Sequence, residues 1–283
     1  MDLRTLTVGI ATYNRKSMLE NMAKSLYLSD LSAFKVNIRI YDDCSTEFNR
    51  DFLEKIFPDA ASIIVNETNL KADYNTFNMY RDFIKSGDDY FFNADSDLLF
   101  NKDWLNFIKE NFNKTDGVLS VFNTTRHHPV IEDCGDLVCK EHIGAAGTFF
   151  SRERVKQIVE NLSEQATDSV DWGFSEYFMN NKVRIMCSKR SFVQHIGLVS
   201  GENSNLYSAD YGTGFSVDSI HNGQILNNLI ESMMDTMPEY IDKVKYAEGK
   251  RIEGKVKDTK DFKIGKAVLK PIRMMKHIIM STK

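Results

Sequence analysis

The chain has 283 residues, of which 42% are hydrophobic and 27% are charged, and its formal net charge is −4. This size and composition allow a large buried core and exclude a disordered or low-complexity chain. Residues 243–283 contain 13 Lys and Arg but only 4 Asp and Glu, so the acidic charge lies in the rest of the chain. An acidic body argues against nucleic acid as the main partner.

Four cysteines (Cys44, Cys134, Cys139 and Cys187) are scattered along the chain, without a CxxC pair or a zinc-type spacing. This pattern favours reduced thiols in a cytoplasmic protein. The N-terminus leads directly into a segment of strand type, without a secretory signal. No apolar run approaches the ~20 residues that a membrane-spanning helix needs. We therefore expect a cytoplasmic protein that does not cross a membrane.

The first hundred residues alternate short apolar runs of strand type with amphipathic segments of helical period. The predicted strands are 6–11, 36–41, 62–65 and 89–94, and the predicted helices are 15–28, 48–57 and 72–85. This order predicts an α/β fold whose mainly parallel sheet carries helices on both faces. Ligands of such sheets bind beyond the carboxyl ends of the strands, which is where this sequence places its polar motifs.

The second half of the sequence is less regular. The predicted strands are 116–122, 183–187 and 191–194, and the predicted helices are 102–112, 152–162, 172–180 and 222–235. A Gly- and Ala-rich loop covers residues 143–150, and residues 201–215 are a candidate lid. We expect a nucleotide-binding half at 1–100, an acceptor-binding half of the same domain at 101–221, and a basic helical tail at 222–283.

Two carboxylates, Asp95 and Asp97, follow the fourth predicted strand and are one residue apart. Both can reach one divalent cation, and their hard oxygen atoms suit Mg²⁺ or Mn²⁺. Such a metal can offset the charge that develops on a departing nucleoside diphosphate. An Asp-x-Asp pair alone is also typical of an exposed acidic turn, so its interpretation depends on the surrounding sequence.

The acidic pair is one of several motifs that occur in a fixed order along the chain. They are 8–15, 41–46, 69–71, 93–97, 144–152, 170–173 and 194–197. Their joint order and spacing, from residue 6 to residue 197, resemble the family 2 glycosyltransferases with the GT-A fold. The resemblance implies a Rossmann-like nucleotide-binding half and a smaller acceptor-binding half. It also implies transfer of a sugar, with inversion at the anomeric carbon, from a nucleotide-sugar donor such as a UDP-sugar to a glycan or lipid-linked acceptor.

The resemblance assigns donor contacts to individual residues. Thr12 and Tyr13 are expected to line the pocket of the nucleotide base. Either Asp42 or Asp43 is expected to accept a hydrogen bond from that base, and Lys71 is expected to lie near the phosphates or the base. The further donor-binding positions are Asn14, Arg15, Asn75, Ser96 and Gly147.

The same resemblance implies a metal site of Mn²⁺ or Mg²⁺. Asp97 is expected to ligate the metal directly, and Asp95 is expected to face both the ribose and the metal. His195 stands where similar enzymes place a histidine that completes the metal shell or meets the diphosphate. A structural role for His195 is the alternative.

Inverting transfer needs a carboxylate that accepts the proton of the attacking hydroxyl. Asp171 precedes a predicted amphipathic helix and is either this base or an ordinary N-cap. The family's usual Glu-Asp pair reads Val170-Asp171 here. Glu176 is the second candidate for the base, and Asp168 is a weaker one.

Aromatic and histidine side chains are candidates for the acceptor site. Trp172, beside the proposed base, either stacks on an acceptor sugar or packs in the core. Trp104, in a predicted helix with other apolar residues, is expected to pack in the core. His127 and His128 could line the acceptor site.

Residues 260–283 form a basic amphipathic segment that is interrupted at Pro271. Such a segment can lie on an anionic membrane surface, or its apolar face can pack on the body. The membrane-surface interpretation places the protein peripherally on the inner face of the cell membrane. Two other functions remain open: a nucleotidyltransferase that acts on sugar phosphates, and a non-catalytic module that binds nucleotide sugars.

Overall fold

The structure is a computed structural model, and it describes residues 3–124, 129–162, 169–197 and 211–259. The strands in these ranges are β1 Thr5–Thr12, β2 Lys35–Asp42, β3 Ala60–Val65, β4 Tyr90–Asp95, β5 Leu98–Phe100, β6 Val118–Ser120, β7 Val130–Cys134, β8 Leu137–Lys140, β9 Thr148–Ser151, β10 Ile185–Ser188 and β11 Val193–His195. The helices are α1 Lys16–Leu28, α2 Arg50–Ile56, α3 Lys71–Ser86, α4 Trp104–Asn111, α5 Arg152–Asn161, α6 Val170–Asn180 and α7 Ile220–Asp258.

The large sheet has the strand order β3-β2-β1-β4-β9-β6-β10-β8-β7. Its first four strands are parallel, as the sequence predicts. From β9 onwards the pairing is mixed, because β9 runs antiparallel to both β4 and β6, and β8 runs antiparallel to β10. A separate antiparallel pair joins β5 and β11.

The core consists of two groups of buried apolar side chains, one on each face of the sheet. Phe91 and Phe92 are neighbours in β4 but belong to different groups, because successive strand residues point to opposite faces. Helices α1 and α4 contribute to the first group, which contains the fully buried Trp104. Helices α3, α5 and α6 contribute to the second. The predicted cover of helices on both faces and the predicted burial of Trp104 are thus confirmed.

Several element boundaries differ from the prediction. β6 is shorter than the predicted strand 116–122, and the short strands β5, β7 and β8 were not predicted. Helix α7 continues beyond the predicted end at residue 235 and includes Pro238. A proline has no N–H to donate and commonly ends a helix, which explains this error.

The chain divides into two compact units, residues 1–229 and 230–283. The predicted boundaries at residues 100 and 221 stay predictions. Among the described residues, none of the helices combines the length and the apolar character that crossing a bilayer requires.

Candidate functional site

The carboxyl ends of three parallel strands meet at one edge of the sheet. In the register of β1 with its neighbours, Thr12 pairs with Asp42 of β2, and Ala11 pairs with Asp95 of β4. Three of the polar motifs are therefore adjacent in space, as the sequence predicts. Thr12 and Asp42 are buried, whereas the Tyr13 side chain is 46% exposed.

Asn14 connects the loops that follow β1 and β2. Its side-chain oxygen accepts hydrogen bonds from the backbone N–H groups of Thr46 (2.8 Å) and Glu47 (3.2 Å). Its own N–H donates to the Ser45 hydroxyl at 2.7 Å. Asn14 and Arg15 both have positive φ, 51° and 55°, which turns the chain sharply before α1. Asn14 therefore fixes the loops after β1 and β2 relative to each other.

The two aspartates at the end of β2 are buried and already hydrogen-bonded within the protein. The Asp42 carboxylate accepts from the backbone N–H of Ser45 at 3.1 Å and from the Ser45 hydroxyl. Oδ1 of Asp43 accepts from the N–H of Leu70 at 2.7 Å and from Asn66 at 3.0 Å. Burial raises the pKa of Asp42, although the bonds from Ser45 oppose this shift. The choice between the two as partner of the base stays open.

Asn75, predicted as a donor contact, is buried in α3. Its amide nitrogen donates to the carbonyl of Tyr41 at 2.9 Å, and its amide oxygen accepts from Asn66 at 3.1 Å. Asn75 and Asn66 together fix Asp43 and the end of β2. Asn66 was not predicted, although a polar residue directly after the third strand was a signal for it. Lys71 is exposed at the start of α3 and has a φ of 70°.

The antiparallel pair β5–β11 brings His195 beside the acidic pair. His195 lies opposite Leu98, and the N–H of Ile196 donates to the carbonyl of Asp97 at 2.8 Å. Nδ1 of His195 is 3.2 Å from Oδ1 of Asp97. On the other oxygen, Nη1 of Arg15 donates to Oδ2 of Asp97 at 3.0 Å. His195 is the last residue of β11, whereas the predicted strand ended at Gln194.

The carboxylates of Asp95 and Asp97 differ in their electrostatic surroundings. Burial raises the pKa of Asp95 to about 6, and the charges of Asp97 and Asp171 add to this shift. Burial acts in the same direction on Asp97, but the neighbouring His195 and Arg15 lower the pKa of Asp97 below its ordinary value. Asp97 is therefore the more strongly ionised of the two.

Carboxylate oxygens are suitable ligands for a hard divalent cation. Oδ1 of Asp97 is buried and has no aligned hydrogen bond within the described residues. In the same ranges, the His, Cys, Asp and Glu side chains form no group of three or more that is placed to hold a metal ion. Mg²⁺ sites commonly use one or two carboxylates together with substrate phosphates. The pair Asp95 and Asp97 fits such a site, and the three-ligand set with His195 stays a prediction.

Glycines hold the backbone close to this site. Gly147 has a φ of 75°, and a Cβ there would lie 2.9 Å from side-chain atoms of Phe122 and Val193. Its N–H donates to the carbonyl of Asn93 at 2.9 Å, which joins the predicted glycine loop to β4. Gly197 was quoted only as part of a motif, yet a Cβ there would lie 1.9 Å from Oδ2 of Asp97. Ser96, another predicted donor contact, is buried between the two aspartates in the chain.

The proposed base lies in the first turn of α6. The helix begins at Val170 with Ser169 as its N-cap residue, so the prediction that Asp171 precedes the helix is wrong, and so is the alternative that Asp171 is the N-cap. The apolar Val170 is buried and belongs to the helix, which moves the start back from residue 172. Oδ1 of Asp171 accepts from the Ser169 hydroxyl and from the N–H of Trp172 at 2.8 Å. The N–H of Val170 donates to Asp73 of α3 at 2.9 Å.

Trp172 is 60% exposed, so its alternative assignment to the core is wrong. Its ring centroid lies 3.7 Å from that of His142, with an angle of 32° between the planes. His142 is buried, burial lowers its pKa, and the charge of Asp171 opposes this shift. His142 was not predicted, because it stands alone in the sequence before the glycine loop.

Glu176, the second candidate for the base, is exposed on α6. It is five positions after Asp171, which places it about 140° around the helix. Asp168, His127 and His128 lie outside the described residues, as do the tail 260–283 and residues 201–210 of the candidate lid.

Beneath these groups, Tyr80 of α3 is buried. Burial raises its pKa well above the ordinary value, and the charges of Asp171, Asp95 and Asp73 add to the shift. The Tyr80 hydroxyl thus lies within electrostatic reach of both the predicted metal site and the predicted base.

Comparison with known proteins agrees with this arrangement. Residues 7–133 match the family described as Glycosyl transferase family 2. Residues 7–133 thus resemble a family 2 glycosyltransferase domain. The matched residues include the carboxyl ends of β1, β2 and β4, and with them the Asp95 and Asp97 pair. No curated protein sequence matches the chain.

Solved structures of glycosyltransferases share the fold of this domain. The S. aureus TarS 1-349 structure in complex with UDP is 17% identical, with a TM-score of 0.53 over 67% of this chain and 59% of that one. The same TarS fragment in complex with UDP-GlcNAc is 14% identical, with a TM-score of 0.52 over 81% and 66%. The mannosyltransferase PcManGT from Pyrobaculum calidifontis, in complex with GDP-Man and Mn²⁺, is 13% identical, with a TM-score of 0.51 over 94% and 84%.

These identities are low, and they establish the fold. The predicted GT-A-type α/β fold is confirmed, and with it the resemblance to family 2 glycosyltransferases. The match spans 59% of the first TarS chain, which is less than two thirds of its length.

Proposed function

We propose that this protein transfers a hexosyl or hexosaminyl group from a nucleoside-diphosphate sugar to a hydroxyl group of a glycan or lipid-linked acceptor, with inversion at the anomeric carbon. One observation carries this proposal: the strand register brings Thr12 of β1, Asp42 of β2 and Asp95 of β4 to one edge of the sheet. The charge of Asp171 on α6 also contributes to the raised pKa of Asp95, in keeping with a candidate base close to the candidate metal site, as a direct displacement requires.

In the proposed reaction the donor binds at the carboxyl ends of β1 and β2. Thr12, Tyr13 and one of Asp42 and Asp43 hold the base, and Lys71 meets the base or the phosphates. We propose uridine as the nucleoside. The two TarS complexes contain UDP and UDP-GlcNAc, which supports uridine, while the PcManGT complex contains GDP-Man.

Asp95 and Asp97, with His195 adjacent, would hold a divalent cation. When bound, Mn²⁺ or Mg²⁺ supplies positive charge that offsets the charge of the leaving diphosphate. The Mn²⁺ in the PcManGT complex supports the choice of metal.

In this proposal Asp171 accepts the proton of the acceptor hydroxyl while that oxygen attacks the anomeric carbon. The Ser169 hydroxyl and the N–H of Trp172 both donate to Oδ1 of Asp171, which fixes the orientation of the carboxylate. The exposed ring of Trp172 stacks on the apolar face of the acceptor sugar, and His142 supports that ring from below.

We further propose a cytoplasmic protein that contacts the inner face of the cell membrane through residues 260–283 and acts in polysaccharide assembly. The basic, amphipathic composition of this segment supports the contact. Sedimentation of the full chain with anionic vesicles, but not with neutral ones, is the expected result. A protein that sediments with neither kind of vesicle would contradict the membrane contact and leave the transferase proposal unaffected.

Donor hydrolysis tests the proposed activity. The protein is incubated with Mn²⁺ and a panel of UDP, GDP and dTDP sugars, and nucleoside diphosphate release is measured. We expect slow release from one donor class and loss of release after chelation. Asp97→Asn should abolish the metal-dependent release. Asp51→Asn, which alters an exposed carboxylate on α2, should not change it.

Two outcomes would favour the other functions. Release of pyrophosphate from a nucleoside triphosphate and a sugar phosphate would instead identify a nucleotidyltransferase. Binding without turnover across all acceptors would identify a non-catalytic module.

A further inference from the structure

Both oxygens of the proposed metal ligand Asp97 are adjacent to side-chain nitrogen atoms of the protein itself. Nη1 of Arg15 lies 3.0 Å from Oδ2, and Nδ1 of His195 lies 3.2 Å from Oδ1. The Arg15 contact is a hydrogen-bonded ion pair in a largely buried position. Arg15 therefore occupies one of the oxygen atoms that a divalent cation would use.

The backbone at Gly197 packs directly against this ion pair. A Cβ at Gly197 would lie 1.9 Å from Oδ2 of Asp97 and 2.8 Å from Nη1 of Arg15. The segment after β11 thus lies against both partners and leaves no space for even a methyl group. A further ligand of Oδ2 requires the guanidinium to move.

The position of Arg15 in the chain gives it a second possible partner. It directly precedes α1, at the carboxyl end of β1, where the proposed function places the donor. The contacts of Asn14 with residues 45–47 fix the preceding backbone, while the Arg15 side chain is 26% exposed. A guanidinium binds phosphate oxygens in bidentate fashion, so a nucleoside diphosphate can compete with Asp97 for Arg15.

We propose that Arg15 controls access of the divalent cation to Asp97. Without nucleotide, Arg15 neutralises Asp97 and disfavours the metal. A bound nucleoside diphosphate draws the guanidinium to its phosphates and frees Oδ2 of Asp97. Metal and nucleotide then bind cooperatively, and each raises the affinity of the other by the same factor. This inference rests on the proposed function, because it takes the donor to be a nucleoside-diphosphate sugar.

Calorimetric titration of the full chain with Mn²⁺, with and without UDP, tests the inference, and a parallel series uses GDP. In Arg15→Met, Mn²⁺ alone should bind about tenfold more tightly than in the unaltered protein, because the competing cation is gone. Arg15→Lys retains the charge, and its Mn²⁺ affinity should stay near the original. Arg4→Met is the matched control, since Arg4 pairs with Asp89 at the opposite end of β1, and it should leave the affinity unchanged.

The nucleotide series gives the second readout. In the unaltered protein UDP should raise the Mn²⁺ affinity by about tenfold or more, a typical coupling between sites. In Arg15→Met the factor should fall to about threefold or less. Unchanged or weaker Mn²⁺ binding by a folded Arg15→Met, in a protein whose unaltered form binds Mn²⁺ and nucleotide, would overturn the role of Arg15 alone. An unaltered protein that binds neither Mn²⁺ nor either nucleotide would overturn the proposed function as well. If Arg15→Met does not fold, Arg15→Gln replaces it in the same titrations, with the same expected results.

Discussion

The proposed donor end and the proposed acceptor end of the site are held by different kinds of contact. At the donor end, side chains of one loop hold the backbone of the next: Asn14 holds residues 46 and 47, and Asp43 holds Leu70. At the acceptor end, Asp171 is held by its immediate neighbours Ser169 and Trp172. The donor end is thus fixed by contacts between distant parts of the chain, and the acceptor end by local ones.

This difference separates binding from chemistry. Substitutions at the donor end should disturb metal and nucleotide binding, because several loops depend on each polar side chain. Substitutions on the first turn of α6 should change transfer and acceptor affinity while nucleotide binding persists. The following variants test that separation, from the largest expected effect to the smallest.

Asp171→Asn should lower the rate of transfer by roughly 10²–10⁴-fold, the usual contribution of a general base. Its affinity for Mn²⁺ and nucleotide should stay close to that of the unaltered protein. Nucleoside diphosphate release with acceptor glycans measures the first effect, and calorimetry measures the second. The matched control is Glu176→Gln, on another side of α6. If Glu176→Gln lost transfer while Asp171→Asn stayed active, Glu176 and not Asp171 would be the base.

Gly197→Ala should weaken Mn²⁺-dependent nucleotide binding, because the added methyl group would overlap Oδ2 of Asp97. Overpacking of this kind costs about 1–3 kcal/mol of folding free energy, and relief of the overlap by a shift of Asp97 should lower the affinity by up to roughly 150-fold, the equivalent of that energy. Gly249→Ala is the control, since a Cβ there meets no atom within 4 Å. Calorimetry with Mn²⁺ and UDP gives the result. Identical affinities in the two variants would contradict the prediction, because they would show that a methyl group at residue 197 does not disturb Asp97.

Trp172→Ala should raise the KM for the acceptor by about fivefold, because a stacking contact contributes roughly 1 kcal/mol. The thermal midpoint should hardly change, since the ring is 60% exposed. Steady-state kinetics and a melting curve measure both quantities. A clear fall in the midpoint with an unchanged KM would assign Trp172 to stability, against the proposed separation.

The sequence was most informative where the structure is regular. β1, β2 and β4 are apolar runs followed directly by polar motifs, so both the parallel order and the meeting of Thr12, Asp42 and Asp95 could be predicted. β7 was missed because most of its residues are exposed, and it shows no apolar pattern. β5 was missed because it has three residues and lies between the acidic pair and α4.

The contacts within the site were harder to predict than its members. Arg15 and His195 were both identified as site residues, and His195 was predicted beside Asp97 in the metal shell, but the ion pair between Arg15 and Asp97 was not predicted. The Arg15 contact depends on the positive φ of Asn14 and Arg15, and the His195 contact depends on pairing between remote segments. Neither local period nor motif spacing carries this information. The exposure of Trp172 depended similarly on the true start of α6.

The β5–β11 pair also sets an order of events during synthesis. Leu98 and His195 are far apart in the sequence, and contacts between remote segments form slowly because a long loop must close first. A nascent chain whose residue 193 has not yet left the ribosome already contains β1 to β4 and the acidic pair. It cannot place His195 or Gly197 against Asp97. The contacts on both oxygens of Asp97, and with them the candidate metal site, are therefore incomplete until the segment that contains β11 has been synthesised.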